Sequence, residues 1–157
     1  RAHTKAHDNA ETTKEQIMSK VAIVYWSGTG NTEAMADLVA QGVRAAGGTA
    51  DLIQASDFDS SRLDDFDAFA FGCPAMGDEE LEEMEFLPMY DEVEPHLPGR
   101  KVALFGSYDW NDGEWMELWE KRAEEAGVDI ADSVIAKDYP DEDASAECMR
   151  LGALLAK

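Results

Sequence analysis

The chain has 157 residues, 45% of them hydrophobic, and 13 Lys and Arg against 34 Asp and Glu, for a formal net charge of −21. That length and apolar share suit a single domain with a buried core and leave no room for global disorder. The charge argues against DNA, RNA or an anionic membrane as partner, because polyanions need a basic face.

In chain order, residues 1–17 come first. Arg1, Lys5 and Lys14 balance Asp8, Glu11 and Glu15, and up to Gln16 there is almost no large apolar side chain. This segment reads as a leader, tag or polar arm, so the whole −21 falls on a domain expected over residues 18–157. Val21–Tyr25 is a continuous apolar run, the pattern of a strand buried on both faces. Residues 31–46 follow with Met35, Leu38, Val39, Gly42, Val43 and Ala46 at helical spacing, closed by Gly47 and Gly48. Thr49–Gln54 is a second strand, residues 57–66 a short helix, and Ala68–Gly72 a third strand. Residues 81–93 are helical in pattern although Pro88 should break or kink them. Pro98 and Gly99 turn the chain into a fourth strand over residues 101–106. Trp115, Leu118, Trp119, Arg122 and Ala126 form a stripe on the next helix, which ends at Gly127. A fifth strand is expected over residues 128–136. Ala144, Cys148, Leu151 and Leu155 mark the core face of a closing helix.

Five alternating strand–helix units predict an α/β fold, a parallel sheet covered by helices on both faces. In such sheets a ligand sits outside the carboxyl ends of the strands, here after strands one, three, four and five. Two cysteines, Cys73 and Cys148, make neither a disulfide framework nor a metal pair. His96 is the only histidine beyond residue 7, so a histidine triad or zinc site is not expected. No apolar run approaches the roughly 18 residues of a membrane helix, and a reduced, cytoplasmic setting is expected.

The loops carry the chemistry. After the first strand come Trp26, Ser27, Gly28, Thr29, Gly30, Asn31 and Thr32, leading straight into a helix. Glycines admit close backbone approach, while helix N-terminal amides and three hydroxyls offer donors to an anion. No Lys or Arg lies between Lys20 and Arg44. A nucleotide-hydrolysing P-loop lacks its lysine here, and a dinucleotide fingerprint has Glu33 where its third glycine belongs. After the third strand, Cys73, Pro74, Ala75, Met76, Gly77, Asp78 and Glu79 form a small-residue loop. Gly77 can flip its peptide, and Met76 offers a soft apolar face to a planar ligand. After the fourth strand, Tyr108 and Trp110 sit on a polar loop where aromatics can stack on a flat ring. The three loops together specify a ligand with an anionic end and an aromatic end.

SGTGNT, CPAMGDE and the run ALFGSYDWNDGEW, in this order and spacing, resemble the flavodoxins of the short-chain, clostridial type. The resemblance spans residues 18–157 and implies a three-layer flavodoxin-like sandwich with strand order 2-1-3-4-5 and non-covalently bound FMN. It implies that Ser27, Gly28, Thr29, Gly30, Asn31 and Thr32 hold the phosphate, that Met76 and Trp110 cover the two faces of the flavin ring, and that Glu79 accepts from flavin N3–H. It places Pro74, Ala75, Gly77 and Asp78 on the same loop, Ser107, Tyr108 and Asp109 near the ribityl chain and pyrimidine edge, and Asp138 near the pyrimidine end. Where Asp109 stands, clostridial relatives often have glycine. The function implied is a low-potential one-electron carrier between redox enzymes, a monomer with no catalytic residues of its own.

Two other readings stay open on sequence. One is an FMN-dependent NAD(P)H:quinone reductase on the same fold, which needs a second substrate pocket. The other is a flavin-free receiver or binding domain. Residues 78–94 hold nine carboxylates and residues 138–147 five, neither with a cation. Most are solvated helix faces, but both runs border the flavin loops and would steer redox partners with a basic docking face.

Overall fold

The computed structural model describes residues 19–77 and 80–157; the arm expected over residues 1–17 lies outside the described residues, as do Asp78 and Glu79. Five strands, β1 (Lys20–Tyr25), β2 (Thr49–Gln54), β3 (Ala68–Gly72), β4 (Lys101–Tyr108) and β5 (Ile130–Lys137), pair in parallel in the order β2-β1-β3-β4-β5. Among the described residues the helices are α1 (Asn31–Ala45), α2 (Phe86–Val93), α3 (Glu114–Glu125) and α4 (Glu142–Leu155). The expected sheet and strand order are therefore observed.

Alternate residues of the central strands feed two cores, as a sheet buried on both faces requires. Ala22, Val24, Phe69 and Phe71 meet Phe86, Tyr90, Trp115 and Trp119 of α2 and α3. Val21, Ile23, Ala68 and Ala70 meet Met35, Val39 and Val43 of α1 and Cys148, Leu151 and Leu155 of α4. The first core is aromatic: Phe86 stacks on Tyr90 at 5.9 Å, and Trp119 stands edge-on to both at 5.5 and 5.7 Å. Such pairs add roughly 0.5–1.5 kcal/mol each beyond their buried area. In the second core α1 and α4 cross on glycine, because a Cβ on Gly42 would lie 2.0 Å from the Met149 carbonyl oxygen and one on Gly152 2.0 Å from that of Val39.

Four elements depart from expectation by more than one residue. The helix expected over residues 57–66 is instead two 3₁₀ turns, Ala55–Asp57 and Ser60–Asp65, with Phe58 and Leu63 both buried in the core at a five-residue spacing that one face of an α-helix does not share. The helix expected over 81–93 begins only at Phe86, so that Pro88 falls in its first turn, where a missing N–H costs nothing. β4 runs on to Tyr108 because β5 supplies partners as far as Lys137. β5 starts at Ile130 because Val128 closes the helix before it: Gly127 takes φ 85°, and the Val128 amide donates back to Ala123 O at 2.9 Å. On α3 the buried stripe is Trp115, Met116, Trp119 and Ala123, leaving Leu118 half exposed.

Candidate functional site

At the carboxyl ends of the strands the sheet's hydrogen bonding continues into the loops. The Trp26 amide donates to Gly72 O at 3.0 Å, that of Ala75 to Ser107 O at 2.9 Å, and that of Asp138 to Tyr108 O at 2.7 Å. Loops from β1, β3, β4 and β5 are thereby knitted side by side. A fourth link is the buried 2.9 Å hydrogen bond between the hydroxyls of Thr32 and Ser107, 75 residues apart. Together these loops wall a cleft of about 290 Å³.

Gly28, Thr29, Asn31, Pro74, Ala75, Met76, Ser107, Tyr108, Asp109 and Asp138, all expected at the site, line that cleft. Ser27 stands behind it, where its hydroxyl accepts from the Gly30 and Glu33 amides at 3.1 and 3.2 Å and shapes the turn. Gly30 takes φ 97°, a left-handed conformation that a side chain would strain. Thr32 is buried and reaches the cleft only through Ser107. Gly77 is exposed with nothing near its missing Cβ, on the far side of Met76 from the cleft. Asp78 and Glu79 lie outside the described residues. Trp110 is off the wall: it is 57% exposed on the turn beyond β4, and the longer strand presents Tyr108 instead.

One lining residue was not among those expected. Trp26 follows the last β1 residue, and its ring lies 3.0 Å from where a Gly28 Cβ would be. An aromatic between a buried strand and a glycine loop is the sequence signal that marks it. Tyr108 is itself held by Trp115, with ring centroids 5.7 Å apart and planes at 46°, while the Trp115 indole N–H donates to Cys73 O at 3.2 Å.

The donor set suits an anion. Among the described residues, the amides of Ser27, Gly28, Thr29 and Thr32 have no acceptor, and the α1 N-terminus points the same way. Among the described residues no Lys, Arg or His lines the cleft, whereas Asp109 and Asp138 do. Asp138 holds φ 57°, a conformation Asp tolerates better than most residues. Cys73 is buried, and burial pushes its thiol up to about 12. The cleft thus combines backbone dipoles with flat apolar surfaces. No group of three or more potential metal ligands occurs among the described residues, and no helix among them is long and apolar enough to cross a membrane.

Comparison with known proteins gives the same picture. The family model for flavodoxin matches residues 23–152. A flavodoxin from Megasphaera elsdenii is 44% identical over 140 residues, covering 87% of this chain and 98% of that protein. One from Clostridium beijerinckii is 45% identical over 135 residues, covering 85% and 97%. The solution structure of the two-electron reduced Megasphaera elsdenii flavodoxin superposes with a TM-score of 0.81 at 43% identity, over 87% of this chain and 98% of that one. The chain belongs to the flavodoxin family, in its short-chain branch, and is an FMN-binding electron carrier.

Proposed function

We propose that the cleft walled by the four loops is where FMN binds, and that the protein works as a low-potential one-electron carrier, a monomer serving basic-faced redox partners in the cytoplasm. The observation that carries this reading is the meeting, among the described residues, of unpartnered amide donors, apolar side chains and two carboxylates in one cleft without a cation. The residues present fit FMN. Ser27, Gly28, Thr29, Gly30, Asn31 and Thr32 supply amides and hydroxyls for a phosphate, and Trp26, Met76 and Tyr108 supply surfaces for a ring. Pro74 and Ala75 close the wall, and Ser107, Asp109 and Asp138 supply its polar edge. Glu79 and Trp110 keep the roles the resemblance implies, accepting from flavin N3–H and covering the outer ring face, with Asp78 on the same loop as Glu79. When bound, FMN supplies the exchange of one electron at a time. Gly77, with open space around it, leaves its peptide free to turn toward the cofactor.

Thr29→Val tests the phosphate assignment, since this residue is exposed at the cleft and its loss does not disturb the core. Losing a hydrogen bond to a charged group costs about 1.5–3 kcal/mol, or roughly 10- to 100-fold in affinity. The apoprotein variant should bind FMN that much more weakly and bind riboflavin, which has no phosphate, as wild type does. An equal loss for both ligands would place the phosphate elsewhere.

Asp109 sets the electrostatics of the reading. Its φ is not among the positive ones, so glycine is not required here by the backbone. Its carboxylate on the cleft wall opposes each negative charge that enters, an effect on the order of 1 kcal/mol for a partly solvated pair. Asp109→Gly is expected to raise the lower of the two one-electron potentials by about 40 mV, the equivalent of that energy for one electron. Redox titration of both couples checks it, and an unchanged lower couple refutes it.

A reductase of the quinone-reducing kind requires a second substrate site. Steady NAD(P)H oxidation by the purified protein alone would argue for that activity and against a pure carrier.

A further inference from the structure

Glu82 is acidic, 4% exposed, and forms no ion pair among the described residues. Its charge is met by backbone amides alone. Oε1 accepts from the amides of Glu85 and Phe86, and Oε2 accepts from that of Met84, all at 2.8 Å. Its own amide donates to Cys73 Sγ at 3.4 Å, and its carbonyl accepts from the Leu87 amide at 2.8 Å. One residue therefore spends every polar group on closing the chain between β3 and α2. Burial opposes the charge, and the three donated hydrogen bonds outweigh it, holding the carboxyl below the ordinary carboxylate value.

An ordinary helix cap needs only one acceptor, from Ser, Thr, Asp or Asn immediately before the first turn. Here Glu85 occupies that position without capping, and the acceptor comes from three residues further back. The longer reach ties α2 to the segment that leads out of the cleft. In that segment the Met76 amide donates to Glu80 O at 3.2 Å. Met76 lines the cleft on one side and, with Gly77, Glu80 and Glu82, a second hollow of about 290 Å³ on the other. The wall of the cofactor cleft and the Glu82 anchor are two sides of one loop.

We propose that Glu82 is a positioning residue for the cofactor: by gathering the amides of Met84, Glu85 and Phe86 it fixes the loop after β3 and so holds Met76 in the cleft wall. This rests on the reading of the cleft as the FMN site. Without the anchor the loop samples open conformations, and the FMN dissociation constant rises by the inverse of the fraction still closed.

Three variants separate positioning from charge and from bulk stability. Glu82→Asp keeps the charge but shortens the reach to the three amides. Glu83→Gln removes one unit of charge from the neighbouring residue, whose side chain is exposed and makes no hydrogen bond among the described residues. Asp59→Ala removes a carboxylate that accepts from Ser61 N at 2.9 Å on a turn away from the cleft. Hydrogen exchange of the Met76 amide in the apoprotein and FMN affinity are measured for each. Expected are at least tenfold faster Met76 exchange and about tenfold weaker FMN binding for Glu82→Asp, and smaller changes in both for the other two. Should Glu82→Asp not fold, Glu82→Gln, which turns one acceptor into a donor facing an N–H, is read the same way. Met76 exchange no faster than in Asp59→Ala, or an FMN loss no greater than in Glu83→Gln, overturns the inference. The riboflavin comparison with Thr29→Val tests the cleft itself, so failure of the site and failure of the anchor give different results.

Discussion

Gly152→Ala is expected to destabilise the protein by about 1–2 kcal/mol, although glycine to alanine inside a helix ordinarily gains about 1 kcal/mol. The sign reverses because the added Cβ meets backbone and not a movable side chain. It would lie 2.0 Å from Val39 O and 2.7 Å from Val43 N on α1. Gly42 makes the reciprocal approach, 2.0 Å from Met149 O, so both glycines belong to one crossing. The helices must part, and with them a core that includes Met35, Val39, Cys148 and Leu151, all 1% exposed or less. Overpacking of this kind costs about 1–3 kcal/mol, and for a domain of this size it lowers Tm by roughly 2–4 °C per kcal/mol. Parting the helices once relieves both contacts, so Gly42→Ala with Gly152→Ala should cost much less than the two single losses added. Urea midpoints of the apoprotein provide the measurement, free of stabilisation by bound FMN. A neutral or stabilised Gly152→Ala would mean that the helices do not approach this closely.

That crossing also shows what sequence alone could and could not convey. Helical spacing exposed the apolar faces of α1 and α4, because period is written in residue order. Gly42 reads in sequence as one more small residue on that face, since the helix it meets lies more than a hundred residues further on. The strands were legible for the same local reason: β2 and β3 have the expected limits, and β1 differs by one residue. Helix α2 was placed five residues too early because its start depends on the Glu82 side chain reaching forward, a choice no periodicity records. At the cleft, the glycines and hydroxyls of residues 27–32 were read as an anion site from their chemistry, and residues 28, 29 and 31 line it. Trp26 and Tyr108 were harder to assign, because whether an aromatic at a strand end walls a cleft depends on how far the strand runs. Tyr108 lies on the wall because β5 pairs with β4 through Lys137.

Salt should slow electron transfer from this protein to a cationic acceptor by at least tenfold between about 0.01 and 1 M, as the Debye length falls from about 30 to 3 Å. A chain with a net charge of −21 attracts any cation over long distances. Acidic residues gathered around the cleft, an acidic collar, would do more, focusing the field where electrons leave. Asp109 and Asp138 line the cleft, Asp112 lies on the same turn, and Glu114 opens α3 beside it. Glu124, Glu125 and Asp129 lie at the opposite end of α3 and in the turn that follows, near the amino ends of the strands. Neutralising Asp109, Asp112 and Glu114 together should remove a larger part of the salt dependence than neutralising Glu124, Glu125 and Asp129, although net charge changes equally. Stopped-flow rates with a cationic cobalt complex give the comparison, and with ferricyanide, an anion, the salt effect should reverse. Equal losses from the two triple variants would leave net charge alone as the steering force. A larger loss from the cleft-side triple would tie the acidic collar to docking, because a partner with a basic face must then approach with that face over the cleft.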